Sequence, residues 1–237
     1  DYQQLWVEIE QLEKEGKPKS IVLLADSILS LATKNENTPQ LFKALVYRSK
    51  YRHEVEEDSE LKVIQDFEKQ IAQWDGINRA LLQSAVGELY GQYYASRQWR
   101  NGGRSNASNY QKEDIRSWSQ DQIMWQAHAY YQASLNEIEI LNTTPITHIQ
   151  EILIPFETSN NNLDLSRKHR PSLFEFLAER ALQFYQNTYQ QTTIPLQAFT
   201  TSDSILFLTY SDFLSYNPTT QDSLSKDFQI LSLFQKI

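Results

Sequence analysis

Apolar residues return at intervals of three and four through the first hundred positions, and this helical period is the feature that most constrains the fold. Leu5, Ile9 and Leu12 form one such stripe, and the next stripe begins at Ile21. Each stripe lies on one face of a helix, so each helix must bury that face against a neighbour. The chain contains only 6 Gly and 7 Pro, whereas a β-sheet protein needs many tight turns. The pattern predicts an all-α fold.

Local signals place the helix ends in this region. Gly16 is expected to end the first helix, and Pro18 is suited to the first turn of the second, where its missing N–H costs nothing. Asn35–Asn37 end the second helix, and Thr38 followed by Pro39 reads as the cap and first turn of the third. Asp58 and Ser59 are expected to cap a fourth helix.

The predicted helices repeat as pairs. The first, third and fifth begin near residues 2, 38 and 78, a spacing of about 36 to 40. Helix-hairpin solenoids repeat at such periods, with tetratricopeptide (TPR) units at about 34 residues. Ile9 and Ile21 are bulky where a TPR crossing needs a small residue, so the repeat is degenerate. We therefore expect stacked antiparallel helical hairpins in a degenerate TPR-like solenoid.

The second half continues the helical pattern with longer loops. One helix is expected from Ile123 to the Thr143–Pro145 break, and another from Pro171–Ser172. Residues 190–220 look irregular, apart from the run Ile205–Leu208, which is either one helical turn or a buried strand. We expect 1–100 to form TPR-like hairpins and 101–237 to form the continuing helical region, packed as one domain.

The two chain ends lead to an expectation of their own. The sequence opens at Asp1 without an initiator Met or a signal segment, which indicates either a removed signal or a trimmed chain. A final helical stripe from Leu224 to Phe234 is predicted to run into Ile237, the last residue. We therefore expect the helical region to be truncated at its C-terminal end.

Charge and composition narrow the possible partners. The net charge is −8, the opposite of what phosphate neutralisation requires, so we expect no nucleic acid partner. No apolar run approaches the roughly 20 residues that cross a bilayer, so we expect no membrane insertion of this segment. The chain has no Cys, which excludes disulfides, thiolate metal sites and a Cys nucleophile within it.

A search for catalytic or metal-binding motifs returns none that is specific. The four histidines lie far apart along the chain, and His128, among Ala and Tyr residues, is expected to be a hydrogen-bonded, partly buried side chain. No nucleophile elbow or phosphate-binding glycine loop occurs. We therefore predict no catalytic residue, no metal and no cofactor. A carboxylate pair for glycoside hydrolysis stays open, because the fold sets its geometry.

One aromatic stripe has the character of a binding surface. Tyrosines are able to line the groove of a helical solenoid, offering flat area and a hydroxyl at low entropic cost. The alternative, which we favour, is that the rings pack in the interior between hairpins. The groove candidates are Tyr90, Tyr93, Tyr94, Arg97, Trp99 and Arg100.

Several stretches in succession resemble a known family. They include the opening DYQQLWVEIEQLEKEGKPKSI, then Leu-Tyr-x-x-Tyr-Tyr at 89–94, Asp-Ile-Arg-x-Trp at 114–118 and Arg-Pro-x-Leu-x-x-Phe-Leu-Ala-x-Arg-Ala-Leu at 170–182. Together they resemble the N-terminal helical region of alpha-2-macroglobulin-family proteins of Bacteroidetes bacteria. The similarity extends over most of the chain, in order, and none of the stretches is a catalytic motif.

The resemblance implies a piece of a long exported protein, placed in the periplasm or at the cell envelope. Such proteins trap proteases through a bait segment and, in many members, a Cys-x-Glu-Gln thioester, which this Cys-free chain does not carry. The predicted function is a non-catalytic scaffold or protein-interaction domain whose partners are the downstream macroglobulin domains or another envelope protein. The alternatives are a free-standing TPR-like adaptor that binds peptides and, behind it, a helical carbohydrate-active enzyme.

Overall fold

A computed structural model describes residues 1–52, 59–101, 111, 114–150, 152–153, 168–189 and 196–237; the side chains of 98–101 and 203 lie outside that description. Within these ranges the protein is built from eleven α-helices and has no β-strand, which confirms the all-α prediction. The helices are α1 (Tyr2–Lys14), α2 (Pro18–Lys34), α3 (Thr38–Arg52), α4 (Ser59–Ile71), α5 (Gly76–Asn101), α6 (Gln120–Ala133), α7 (Ile138–Thr143), α8 (Leu173–Asn187), α9 (Asp203–Leu206), α10 (Tyr210–Ser215) and α11 (Lys226–Phe234).

The helices belong to two compact units. Unit 1 comprises Asp1–Arg79 and Thr144–Pro171, and unit 2 comprises Ala80–Thr143 and Ser172–Ile237. The boundary between the units falls inside α5, whereas the sequence placed a division at residue 100. Each unit is built from two separate stretches of the chain.

The helix ends in unit 1 follow the local signals. Gly16 has a φ of +64°, the left-handed conformation that glycine adopts without strain, and α2 begins two residues later at Pro18. The third helix begins at Thr38, as predicted, but its cap is different. The side-chain oxygen of Asn37 accepts from the backbone N–H of Gln40 at 3.2 Å, so Asn37 takes the capping role that was assigned to Thr38.

Unit 1 is a stack of helices that pack in sequence order, α1 on α2, α2 on α3 and α3 on α4. The predicted stripes point into these contacts, since Ile9, Ile21, Ile28, Leu41 and Ile64 are all fully buried. Burial of side chains of this size supplies roughly 1.5–3 kcal/mol each. The structure confirms the predicted stack of helical hairpins.

An ion-pair group reinforces three helices of unit 1. Arg48 of α3 lies between Asp26 of α2 and Asp66 of α4, at 2.8 Å from Asp26 Oδ1 and 3.4 Å from Asp66 Oδ2. The first contact is an ion pair without the alignment of a hydrogen bond. Arg52 also contacts Asp66. Because Asp66 is shared by two half-buried guanidinium groups, the charges hold α4 against α3.

Two reciprocal caps begin the main helices of unit 2. At the start of α6, Ser119 accepts from the Gln122 N–H and the Gln122 side chain accepts from the Ser119 N–H. Ser172 and Glu175 form the same box at the start of α8. The apolar face of α8 then packs against α7 and α11. The predicted start of a helix at Pro171–Ser172 is therefore confirmed.

Several predicted boundaries in the second half are wrong. The helix expected to reach Thr143–Pro145 is two helices, because α6 ends at Ala133 and the short α7 follows. The last helix ends at Phe234 and does not run into Ile237. The expectation of an irregular segment agrees with the structure, since 196–220 is mostly without regular structure apart from α9 and α10, and at Ile205 the helical-turn alternative is the correct one and not the strand. Residues 190–195 lie outside the described part of the chain, as does Asp58.

A glycine in α5 sets the close approach of α5 to α6. A Cβ added at Gly87 would lie 2.8 Å from Cδ2 of Tyr131, a distance that real side chains do not adopt. The ring of Tyr131 is fully buried, and its hydroxyl donates to Glu88 Oε2 at 2.9 Å. By contrast, a Cβ at Gly91 in the same helix would meet the Thr188 methyl at an ordinary 3.4 Å.

Replacing each of these glycines with alanine therefore separates two effects on the free energy of unfolding, steric crowding and helix propensity. Gly87→Ala should lower the free energy of unfolding by about 1–3 kcal/mol, because the Tyr131 ring has to move. The matched control, Gly91→Ala, should leave it unchanged or raise it by up to about 1 kcal/mol, since alanine favours a helix interior. Urea unfolding of both variants measures the difference, and equal effects at the two positions would contradict the close approach.

Candidate functional site

The predicted groove tyrosines lie in the interior of unit 2. Tyr90, Tyr93 and Tyr94 are only 1%, 8% and 3% exposed. The ring of Tyr90 stacks on Trp118 at 6.1 Å and on Tyr130 at 5.9 Å between ring centroids. Rings that are sealed in this way do not form an open groove. The groove prediction is therefore wrong for the three tyrosines, and interior packing describes them.

Arg97 has a positioning role in the same region. Its guanidinium donates to the carbonyl of Trp118 at 2.8 Å and to the carbonyl of Arg116 at 2.9 Å. These bonds hold the short 3₁₀ segment Ile115–Ser117 against the end of α5, and they use two of the N–H donors of the Arg97 guanidinium. The side chains of Trp99 and Arg100 lie outside the described part of the chain. The hypothesis of a peptide-binding adaptor therefore loses the tyrosines on which it depended.

Another set of exposed apolar side chains in unit 2 lies close together in the sequence, on α9, on its cap residue and on α10. We define the apolar strip by its four large side chains, which are 68%, 86%, 79% and 44% exposed. They are Leu206, Phe207, Tyr210 and Leu214. Sequence reasoning missed it, because the run Ile205–Leu208 was read as a single turn or a buried strand.

Short helices explain why the strip faces solvent. Helix α9 has only four residues, and Ile205 is the one it buries, at 5% exposure. Phe207 follows as its cap residue and is turned outward. Tyr210 and Leu214 are four residues apart on α10 and so share one helical face. One and a half turns of helix give too little length for a second, buried face.

The backbone behind the strip is fixed by Gln235, the cap residue that follows the last helix. The side-chain amide of Gln235 donates to the carbonyl of Phe213 at 2.8 Å and to the carbonyl of Tyr216 at 2.6 Å. At the other end of α10, the Thr209 hydroxyl caps the helix by accepting from the Asp212 N–H. Hydrogen bonds therefore fix the backbone that carries the strip.

The stretch of sequence that contains the strip carries charge of one sign. The sequence from 181 to 225 contains no Lys, Arg or His, and its charged residues are Asp203, Asp212 and Asp222. Of these, Asp222 is buried and accepts from the backbone N–H of Phe199 at 3.1 Å, while Asp212 is exposed on α10. A partner that covers the strip would meet Asp212 as the exposed charge of α10.

Burial inside unit 2 shifts the pKa values of three ionisable side chains. Burial raises the pKa of both Tyr131 and Tyr185 well above the usual tyrosine range. Burial also lowers the pKa of His128, whose Nδ1 lies 2.7 Å from the hydroxyl of Tyr185. The prediction of a partly buried, hydrogen-bonded His128 is confirmed. His148 and His169 are exposed, and His53 lies outside the described residues.

Two further observations concern metal binding and membrane crossing. Among the residues that the structure describes, no group of three His, Asp or Glu side chains is arranged to hold a metal ion. None of the helices described is both long enough and apolar enough to cross a lipid bilayer.

The exposure of Phe207 makes a direct prediction about stability. Phe207→Ser should change the free energy of unfolding by less than about 0.5 kcal/mol, because the ring is already in water. Ile205→Ala, two positions earlier and buried, should cost about 2–5 kcal/mol. Thermal or urea unfolding measures both, and a large loss in the Phe207 variant would mean that the ring is covered in the folded protein.

Comparison with known proteins returns no match: no protein-family model, no curated protein and no solved structure is similar to this chain.

Proposed function

We propose that this chain is a non-catalytic helical scaffold that binds another protein, at the N-terminus of a bacterial alpha-2-macroglobulin-like protease-trapping protein. The observation that carries the proposal is the apolar strip of α9 and α10. Four large apolar side chains open to water within nine residues are more than the scattered single ones of an ordinary surface, and such concentrations mark interaction sites. The strip is also held on a fixed backbone by Gln235, so binding would cost little ordering of the main chain.

The partner's chemistry follows from the strip and its surroundings. The strip offers Phe207 and Tyr210, the aromatic type that is enriched in the centres of protein interfaces. The stretch around it carries acidic residues and no cation. The partner surface is therefore apolar at its centre with Lys or Arg at its rim. We propose the macroglobulin domains that follow in the parent chain as that partner, in the periplasm or at the envelope.

The arrangement of charged side chains supports a scaffold and not a catalyst. In unit 1, Asp66 of α4 forms ion pairs with both Arg48 and Arg52 of α3. In unit 2, Glu88 accepts from the Tyr131 hydroxyl. These groups compensate each other's charge or polarity inside the fold, whereas a general acid or base needs to meet a substrate in a cleft.

The test is a binding titration between this chain and the polypeptide that follows it in the parent gene, produced separately. Leu206→Ser combined with Phe207→Ser should weaken binding by about 10- to 100-fold, because two side chains lose their burial. The matched control is Leu23→Ser on α2, another exposed leucine, which should bind as the unaltered chain does.

Two results would contradict the proposal in different ways. Unchanged affinity in the double variant would remove the strip as the contact surface. A parent gene that encodes no strand-rich sandwich domains after this segment would remove the macroglobulin placement, while the strip would still be testable with another partner.

A further inference from the structure

A connected run of polar side chains crosses the interior of unit 2 and joins three helices. His128 and Gln132 lie on α6, Tyr185 on α8 and Gln229 on α11. The Gln132 amide nitrogen is 3.1 Å from the Tyr185 hydroxyl and 2.8 Å from Oε1 of Gln229. The Gln229 amide nitrogen donates to the carbonyl of Ser223, just before α11.

The Ser223 carbonyl fixes the direction of every bond in this run. A carbonyl only accepts, so Gln229 must present its amide nitrogen to it and turn Oε1 toward Gln132. Gln132 must then present its own nitrogen, and this nitrogen also donates to the Tyr185 oxygen. The Tyr185 hydroxyl hydrogen is left to point at Nδ1 of His128, 2.7 Å away.

His128 is therefore an acceptor at Nδ1. An imidazole that accepts at Nδ1 is neutral and carries its proton on Nε2. The protonated ring would instead donate at Nδ1, so the Tyr185 hydroxyl hydrogen would have to turn away from His128 and would lose its acceptor in the buried interior. Neither amide is able to turn over to relieve this conflict, because Gln229 would then face the Ser223 carbonyl with an oxygen.

We propose that His128 is a proton-operated latch: its neutral form holds α11 on α6 and α8 through Gln132 and Gln229, and its protonated form loosens α11. Since Gln235, which holds the backbone of α10, follows α11 directly as its cap residue, loosening α11 frees the backbone behind the apolar strip. The latch stands on hydrogen bonds inside unit 2 and does not depend on the proposed partner.

Tyr189 is the titratable group beside the latch, two residues after the end of α8. Its ring centroid lies 6.5 Å from that of His128, and its pKa is raised to about 12 by burial and then by Asp121 of α6 and Asp222. Burial lowers the pKa of His128 below its usual 6.5, because desolvation disfavours the charged ring.

The charged side chains at the start of α11 are engaged elsewhere. Lys226 donates to the carbonyl of Gln186 at 3.0 Å, and Asp227 accepts from the N–H of Thr201 at 2.9 Å. The sign of the pH effect then follows from the lowered pKa of His128. The latch is complete above about pH 6.5, and its contribution is lost as the pH falls from there through the lower folded-state value.

Hydrogen exchange read by mass spectrometry tests the latch. After correction for intrinsic exchange rates, the amides of α11 should exchange about fivefold faster at about pH 5 than at about pH 7.5, the effect of losing one net hydrogen bond. His128→Gln, which never becomes charged, should abolish this difference. His148→Gln alters an exposed histidine and should keep it.

Nitrogen NMR of the histidine rings gives a readout that does not depend on the stability of any variant. The unaltered protein at neutral pH should show His128 protonated on Nε2, and Tyr185→Phe should raise its titration midpoint by removing the donor to the neutral ring. A His128 ring protonated on Nδ1 at neutral pH, or an equal response to acid in His128→Gln, would overturn the proposal.

Discussion

Everything described in unit 2 depends on the burial of the apolar face of α8. Eight of its fifteen residues are buried, and α7 and α11 both pack against it. The same face contributes Phe184, whose ring stacks on Tyr131 of α6 at 4.7 Å. Removing this face from water supplies the driving force, and the Ser172–Glu175 box sets where the helix begins. The polar run from Ser223 to His128 exists only because α8 brings Tyr185 into this interior.

Helices with strong local signals were predictable from the sequence. The start of α2 at Pro18 and the start of α8 after Ser172 depend on the residues at those positions and little else. Which of two neighbouring residues caps a helix was less predictable. For α3, Asn37 is the cap in place of Thr38. The fold therefore followed from periodicity, whereas the boundaries of the short helices, such as α7, required knowledge of what packs on them.

The candidate site was largely hidden from sequence reasoning. Tyr90 belongs to a stripe that suits a groove or a core equally well, and its ring partners, Trp118 and Tyr130, come from a distant part of the chain. Phe207 was missed for the opposite reason, because an apolar run reads as buried unless its element is known to be too short to have two faces. Gly87 was a readable signal, since a glycine inside a long helical pattern often marks a close approach.

The absence of Lys, Arg and His from 181 to 225 has a consequence for the resistance of this stretch to proteases. Short helices and turns at a surface are where chains are most often nicked. Yet proteases that cut after Lys or Arg find no site anywhere in this stretch, folded or unfolded. Enzymes that select large apolar residues are offered exposed targets at Phe207 and Tyr210, and those side chains are the ones that the proposed partner would cover.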